Sequence, residues 1–245
     1  MSTQRILLNG ARGRMGQAII ESAQQSGHTI YATIDLGDDP SPYLEGCDAI
    51  IDFSFHEATL PLLQKAVEYQ KPMVIGTTGH SESDRAEIRS LATKVPTVWA
   101  GNYSVGVNLL LYLTRKAAAI LGEEYHPEIT EMHHSHKKDA PSGTAENLVE
   151  AVLAGRQWDP EAVCHGRSGI TGERPDRQIG VHALRGGEVV GEHTVLFAGP
   201  AERVELTHKA ADRSIFADGA LRAADWATRQ KPGLYTMLDV LGLKD

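Results

Sequence analysis

Apolar residues recur with two different spacings along the first hundred positions. Segments with helical spacing separate short apolar runs of strand length, which lie at 5–9, 28–34, 48–54, 72–76 and 97–100. Strands that alternate with helices in this way are typical of a parallel sheet covered by helices on both faces. We therefore predict an α/β fold whose first domain, residues 1–103, is a Rossmann-like doubly wound parallel sheet.

The pattern changes near residue 104. A long apolar helix is predicted over 105–121 because Gly122 follows it as a stop signal. A second helix is predicted over 142–155, and strand-like runs lie at 127–132, 178–184, 188–197 and 203–208. This grouping of strands predicts a second, α+β domain over 104–213 with an open mixed sheet. The closing segment is helical again over 214–229, so we expect 214–245 to join the first domain.

Composition excludes several classes of protein. The 245 residues are 41% hydrophobic and 23% charged, which suits a globular chain with a proper core. The net charge of -8 disfavours a nucleic-acid partner, because phosphate backbones require clustered Lys and Arg. The sequence has neither an apolar run of membrane-spanning length nor a signal-peptide pattern, so we expect no membrane partner and a cytoplasmic location. Cys47 and Cys164 lie far apart and suggest neither a disulfide nor a zinc site.

Glycines follow the first predicted strand with the spacing G-x-x-G-x-x-G, at Gly10, Gly13 and Gly16. A turn of this kind allows a pyrophosphate to approach the backbone at the amino terminus of the next helix, where free N–H groups favour negative charge. The alternative is a tight strand-to-helix turn without a ligand.

An acidic residue follows the second predicted strand. This strand ends in Asp35, nineteen residues after Gly16, where a carboxylate can bind the ribose hydroxyls of a dinucleotide. The alternative there is a carboxylate that caps a turn.

Three histidines crowd into the segment 131–138, together with two lysines. A metal site, an acid/base and substrate site, and a solvated loop are the three interpretations. On an extended backbone His134 and His136 share a face while His133 points the other way, so one metal ion does not easily bind all three. The lysines also oppose a cation, and we predict no metal.

An anion site is predicted directly after the histidines. Pro141 stands near the start of a predicted helix, and Ser142, Gly143 and Thr144 would offer unpaired N–H groups and two hydroxyls. Lys137 adds a mobile positive charge. Together they predict a clamp for the carboxylates of a small dicarboxylate substrate.

The segment Glu131-Met-His-His-Ser-His-Lys-Lys-Asp-Ala-Pro-Ser-Gly-Thr144 resembles the signature E-x-H-H-x-x-K-x-D-A-P-S-G-T of the dihydrodipicolinate reductase family. The resemblance covers essentially the whole chain. Its other segments are 10–16, 52–54, 76–79, 102–108, 185–187, 191–194 and 231–235. It implies NAD(P)H-dependent reduction of 4-hydroxy-tetrahydrodipicolinate to tetrahydrodipicolinate in lysine and diaminopimelate biosynthesis, with hydride delivered to C4 of the ring. It also implies a homotetramer built on the sheets of the second domains.

The resemblance implies a role for each matching residue. His133 is implied as the proton donor and acceptor, with Lys137 as its partner and as a carboxylate anchor, and His134, Gly143 and Thr144 as substrate contacts. The implied cofactor contacts are Gly10, Ala11, Arg12, Gly13, Arg14, Met15, Asp35, Gly76, Thr77, Thr78, Ala100, Gly101, Asn102 and Tyr103. An imidazolium suits proton donation near neutral pH, because its ordinary pKa is about 6.5.

One position departs from some members of the family. These carry Arg directly after the ribose-binding acid, which suits NADPH, whereas this chain has Leu36. We therefore expect NADH as the preferred cofactor and NADPH as the poorer one.

Two other functions fit the sequence less well. A two-domain oxidoreductase of the aspartate or homoserine dehydrogenase type gives no reason for the pairing of His-His-x-x-Lys with Pro-Ser-Gly-Thr. A nucleotide-sensing protein without catalysis would be favoured by the loss of His133 or Lys137, and both residues are present.

Overall fold

A computed structural model describes residues 3–243, which form two compact units. The first unit runs to Val105 and resumes at Arg213, and the second unit is Gly106–Asp212. In chain order the elements are β1 (Arg5–Asn9), α1 (Arg14–Ser26), β2 (Thr29–Ile34), α2 (Ser41–Leu44), β3 (Ala49–Asp52), α3 (His56–Glu68), β4 (Met73–Ile75), α4 (Glu82–Leu91), β5 (Pro96–Trp99), α5 (Val105–Ile120), β6 (His126–His133), α6 (Gly143–Arg156), a 3₁₀ turn (Pro160–Ala162), β7 (Val163–His165), β8 (Ile179–Arg185), β9 (Gly191–Ala198), β10 (Arg203–Ala210), α7 (Ser214–Ala227), β11 (Gly233–Tyr235) and α8 (Met237–Leu241).

The first unit contains a six-stranded sheet with the order β11-β5-β4-β3-β1-β2, and every neighbouring pair is parallel. The chain moves outward from β1 in both directions, to β2 on one side and to β3 on the other. A crevice at the carboxyl ends of the strands is expected where the direction reverses, which is beside β1. The sheet confirms the predicted Rossmann-like α/β fold.

Alternate residues of the central strands face two separate cores of the first unit. Ile6 and Leu8 pack with α1, α7 and α8, whereas Leu7 packs with α3 and α4. All three side chains are fully buried. Both faces of the sheet are therefore covered, as apolar strands with no polar face require.

The second unit contains a five-stranded sheet with the order β10-β9-β6-β8-β7. The pairs β10–β9 and β9–β6 are antiparallel, whereas β6–β8 and β7–β8 are parallel. Side chains of α5 and α6 form one core with inward residues of the sheet, which include Ile129, Val195 and Phe197. This sheet confirms the predicted mixed sheet of a second α+β unit.

Several short elements of the structure were not among the predicted ones. Strands β7 and β11 and helices α2 and α8 were missed, because three to five residues are too few to show a period. The chain turns at Gly187 between β8 and β9, but these strands do not pair, since β6 lies between them. Within residues 3–243, no helix is long and apolar enough to span a membrane.

Candidate active site

The turn between β1 and α1 has a geometry that requires glycine at two of its positions. Gly10 has φ +86, and a Cβ there would lie 2.1 Å from the carbonyl oxygen of Phe53. A Cβ on Gly16 would lie 2.2 Å from the Gly10 oxygen, so both positions exclude a side chain. Gly13 is the N-cap of α1, and within the described chain no side chain caps this helix or places an acid in its first turn. The helix end is therefore suited to an external anion.

Asp35 lies directly after β2, beside the same turn. Its carboxylate accepts a hydrogen bond from the backbone N–H of Arg12 at 3.3 Å and forms an ion pair with the Arg12 side chain, also at 3.3 Å. The Arg12 side chain is 86% exposed, so it can move toward another anion. Asp35 and Leu36 line a cleft of about 650 Å³ whose other acidic wall residues are Asp38, Asp39, Glu57 and Glu68.

The last residue of β3 is a buried carboxylate, Asp52. Asp52 accepts hydrogen bonds from the side chains of Asn9 at 2.9 Å, Ser54 at 2.5 Å and Thr59 at 2.7 Å. Burial raises the pKa of Asp52, and these hydrogen bonds oppose the shift. The Thr77 hydroxyl accepts from the Ser54 N–H at 2.9 Å, so this side chain holds two loops together.

The predicted cofactor contacts 76–78 and 100–103 directly follow β4 and β5 in the first unit. Gly76 packs against the Phe53 ring, which a Cβ would overlap at 2.2 Å. Tyr103 is buried, and its hydroxyl donates to the carbonyls of Ile75 and Val98 at 2.8 and 3.0 Å. The hydroxyl of Tyr103 is thus used inside the fold, and backbone atoms are left for contact with a ligand.

His133 is the last residue of β6 and its side chain is buried. Its Nδ1 lies 2.6 Å from Oε2 of Glu131, two residues earlier on the same face of the strand. The His193 ring from the neighbouring β9 packs against its edge, with centroids 5.2 Å apart. A Cβ on Gly191 would lie 3.0 Å from its Nε2, so the glycine keeps space beside that atom.

Glu131 is fully buried and accepts hydrogen bonds from three residues. Arg185 of β8 donates from both terminal nitrogens, at 2.9 Å to Oε2 and 2.8 Å to Oε1. The backbone N–H of Ser142 donates to Oε1 at 3.1 Å. Burial alone would raise the pKa of Glu131, but the hydrogen bonds from Arg185 and His133 outweigh it and hold the pKa below its ordinary value.

Burial lowers the pKa of His133 below its ordinary value of 6.5. The Glu131 carboxylate opposes this shift, whereas the charges of Lys137 and Arg185 add to it. Burial and the neighbouring His133 also lower the pKa of His193, to about 4. Burial therefore disfavours the imidazolium form of both rings in this structure.

Ser142 is the N-cap of α6, and its hydroxyl accepts from the N–H of Ala145 at 3.2 Å. The same hydroxyl lies 3.0 Å from Nε2 of His193, and the Ser142 side chain is buried. This differs from the prediction that Ser142 offers an unpaired N–H and a free hydroxyl to an anion. Gly143 follows on the exposed side, where an added Cβ would meet nothing within 4 Å.

Lys137 lies in the loop between β6 and α6 and forms an ion pair with Asp139 at 2.8 Å. The lysine side chain is 20% exposed and Asp139 is 62% exposed, so Asp139 can be displaced. The ring of His134 lies 6.3 Å from that of His136, which is 80% exposed. Among the described residues, no group of three or more His, Cys, Asp or Glu side chains is arranged to hold a metal ion.

Sequence reasoning missed three residues of the second-unit site. Glu131 stood in the quoted signature, and Arg185 and His193 stood in matching segments, but none was given a role. Alternation along β6 could have indicated that Glu131 and His133 share a face, because they are two residues apart. No local signal places β8 and β9 on either side of β6.

Comparisons with known proteins agree with these features. The family model described as the N-terminus of dihydrodipicolinate reductase matches residues 4–103, and the C-terminus model matches residues 106–241. A 4-hydroxy-tetrahydrodipicolinate reductase from Akkermansia muciniphila is 55% identical over 242 residues, which cover 97% of this chain and 98% of that protein. A protein of the same name from Thiobacillus denitrificans is 46% identical and covers 98% of this chain and 99% of its own.

A solved structure of dipicolinate-bound dihydrodipicolinate reductase from Paenisporosarcina sp. TG-14 has the same fold. Its TM-score is 0.76 with 22% sequence identity, over 97% of this chain and 99% of that one.

Proposed function

The chain belongs to the dihydrodipicolinate reductase family and is an NAD(P)H-dependent oxidoreductase, and from this premise we propose which of its residues perform the reaction. The relatives reduce 4-hydroxy-tetrahydrodipicolinate, as their name states. This chain gives tetrahydrodipicolinate in the same step of lysine and diaminopimelate biosynthesis. The observation that carries the assignment of roles is the buried pair of His133 and Glu131 beside the amino terminus of α6.

The first unit is the dinucleotide-binding domain in this proposal. The uncapped amino terminus of α1 would receive the pyrophosphate, and Asp35 would bind the adenosine ribose inside the cleft. Backbone atoms of 76–78 and 100–103 would contact the nicotinamide half. NADH or NADPH, when bound, supplies the hydride.

We propose a preference for NADH over NADPH. The cleft around Asp35 carries several carboxylates, which would repel a 2′-phosphate, and Leu36 provides no positive charge to bind one. The exposed Arg12 would reduce this repulsion by leaving Asp35. NADPH is therefore the poorer cofactor and remains usable.

The second unit is the substrate-binding domain. One carboxylate of the substrate would displace Asp139 from Lys137 and form a charge-assisted hydrogen bond, and the other would bind the N–H groups of Gly143 and Thr144. His134 would contact the same ligand. This arrangement suits a small molecule with two negative groups.

His133 would transfer the proton that the reduced ring requires. Its pKa is low in this structure because of burial and the nearby cations, and a bound dicarboxylate would offset the charges of Lys137 and Arg185. Substrate binding would therefore favour protonation of the imidazole before the proton is transferred. A positioned general acid contributes about 10²- to 10⁴-fold in rate.

We also propose a homotetramer built on the sheet of the second unit. Helices α5 and α6 pack on one face of this sheet, and the outer strand β10 has no buried residue. A second copy of the sheet would cover the other face. Light scattering on the purified protein would give its mass, and a monomer would contradict this arrangement.

The proposed activity is tested by coupling the purified protein to the aldolase-type synthase that makes its substrate. NADH should be oxidised only when the synthase and its substrates are present. NADPH should give a lower kcat/KM in the same assay. No oxidation of either nucleotide would reject the activity, and a strong preference for NADPH would reject only the cofactor assignment.

A further inference from the structure

We propose that Glu131 is a positioning residue for the reduction, because its buried carboxylate orients the ring of His133 and fixes the amino terminus of α6 at the same time. This inference rests on the proposed role of His133 as the proton donor. It assigns a function to a side chain that itself touches neither the substrate nor the cofactor in our account.

The first part of the inference concerns the tautomer of His133. An ionised carboxylate only accepts hydrogen bonds, so the Nδ1 that lies 2.6 Å from Glu131 must carry hydrogen. Arg185 keeps Glu131 ionised through its bidentate bond. Nε2 is consequently the atom that gains and loses the catalytic proton. Gly191 leaves space at that atom, since a Cβ there would approach it to 3.0 Å.

The second part concerns the anion-binding end of α6. One oxygen of Glu131 accepts from His133, and the other accepts from the N–H of Ser142 at 3.1 Å. Arg185 donates to both oxygens. A single rigid carboxylate therefore sets the position of the proton donor relative to Gly143, the next residue of the helix. The loop of eight residues between His133 and Ser142 could not do so by itself.

Glu131 differs from the other charged groups around His133 in the sign of its charge. The titratable and charged groups that face the ring are Glu131 on β6, Lys137 in the following loop, Arg185 on β8 and His193 on β9. Glu131 is the negative member of this set, and the charges of Lys137 and Arg185 disfavour an imidazolium. An opposite charge at hydrogen-bond distance shifts a pKa by about one to three units. Loss of the carboxylate should therefore lower the pKa of His133 further.

The test compares Glu131→Gln with Glu128→Gln, which lies on the same strand and faces the other side. Glu128 also accepts hydrogen bonds from arginine and histidine side chains. Glu128→Gln therefore shows the effect of breaking an ion-pair cluster on this strand away from His133. The pH dependence of kcat/KM is measured for both variants and the wild type. Activity that needs protonated His133 declines as pH rises, and Glu131→Gln should move this decline about one pH unit lower. Glu128→Gln should leave its position unchanged.

Nitrogen-15 NMR of labelled histidine gives a second measurement. The signals of His133 are identified by their disappearance in His133→Gln. The wild type should show the Nδ1–H tautomer, and Glu131→Gln should show a mixture of both. If Glu131→Gln does not fold, Glu131→Asp keeps the charge at a greater distance and should give a smaller shift in the same direction.

A merely structural role would lower activity equally at every pH. The inference is overturned if Glu131→Gln keeps the wild-type pH profile and tautomer, or if Glu128→Gln moves the profile equally. Failure of the proposed function has a different signature, which is full activity in His133→Gln. The two failures are therefore distinguishable in one set of variants.

Discussion

His133 illustrates how much a single residue depends on neighbours that are remote in sequence. The signature around it predicted a proton donor. The orientation and pKa of its ring, however, depend on Glu131, Arg185 and His193. Arg185 and His193 follow it by 52 and 60 positions on two other strands. No spacing within one segment could predict that these side chains meet.

Lys137 also has a partner in the structure that its predicted role did not include. Its identity and position predicted an anchor for a carboxylate, but the structure pairs it with Asp139 at 2.8 Å. This hydrogen bond lowers the pKa of Asp139, so the Asp139 carboxyl is ionised at neutral pH. A substrate carboxylate must therefore compete with a side chain of the same chemistry.

Cofactor preference is testable by one substitution at the exposed Leu36. Leu36→Arg places a guanidinium beside the ribose-binding acid, where it can bind a 2′-phosphate. We expect kcat/KM for NADPH to rise about tenfold, because a charge-assisted hydrogen bond contributes roughly 1.5–3 kcal/mol. Steady-state kinetics with NADPH and with NADH would measure this change in kcat/KM.

Leu36→Gln is the matched control, because it adds polarity and length without charge. Its ratio of NADPH to NADH efficiency should stay close to that of the wild type. An unchanged ratio in Leu36→Arg would show that the residue after Asp35 does not select the cofactor.

At the scale of elements, the strands and helices of the first unit were predictable because their periods are regular. Strand β11 was not, since only three residues, Gly233–Tyr235, add to the sheet from a distant part of the chain. In the second unit, the strand-like runs were predictable, but their spacing could not reveal that β6 lies between β8 and β9. The order of strands is set by long-range packing, which local patterns do not contain.

The amino terminus of α6 provides a prediction about substrate binding. Gly143→Ala adds a methyl group that meets no atom of the protein within 4 Å, so the fold should tolerate it. The methyl group would occupy space needed by the bound carboxylate, and we expect KM for the substrate to rise about tenfold. Kinetics together with a melting curve would measure both effects.

An unchanged KM in Gly143→Ala, with an unchanged melting temperature, would remove this helix end from the substrate site. A lowered melting temperature would instead indicate that the methyl group disturbs the protein.

The sheet of the second unit contains a carboxylate that should make stability depend on pH. Glu128 accepts hydrogen bonds from Arg167, Arg174 and His182, and these outweigh its burial and lower its pKa from 4.5 to about 2. A folded-state pKa below the unfolded value stabilises the protein above about pH 4.5, and this contribution is lost as pH falls toward 2. The shift corresponds to about 3 kcal/mol.

Urea denaturation between pH 6 and pH 2 would test this prediction. Glu128→Gln should lower the free energy of unfolding at pH 6 and flatten its decline with acid. Equal slopes for the variant and the wild type would contradict the assigned role of the Arg167, Arg174 and His182 cluster.

At the scale of the whole molecule, the sequence predicted two kinds of sheet in one chain and a reductase of a known family. The strand alternation and the signature sufficed for this, because both are local features. Family membership then follows from matches over 4–103 and 106–241. The roles proposed for individual residues of each unit are tested by kinetics on single variants.

The most direct test of our account is the turnover of His133→Gln with saturating substrate and NADH. Its kcat should fall by about 10²- to 10⁴-fold, because the general acid is lost. His136→Gln, an exposed histidine in the same segment, should keep the wild-type kcat. A His133→Gln enzyme that turns over at the wild-type rate would contradict the central claim that this imidazole delivers the proton.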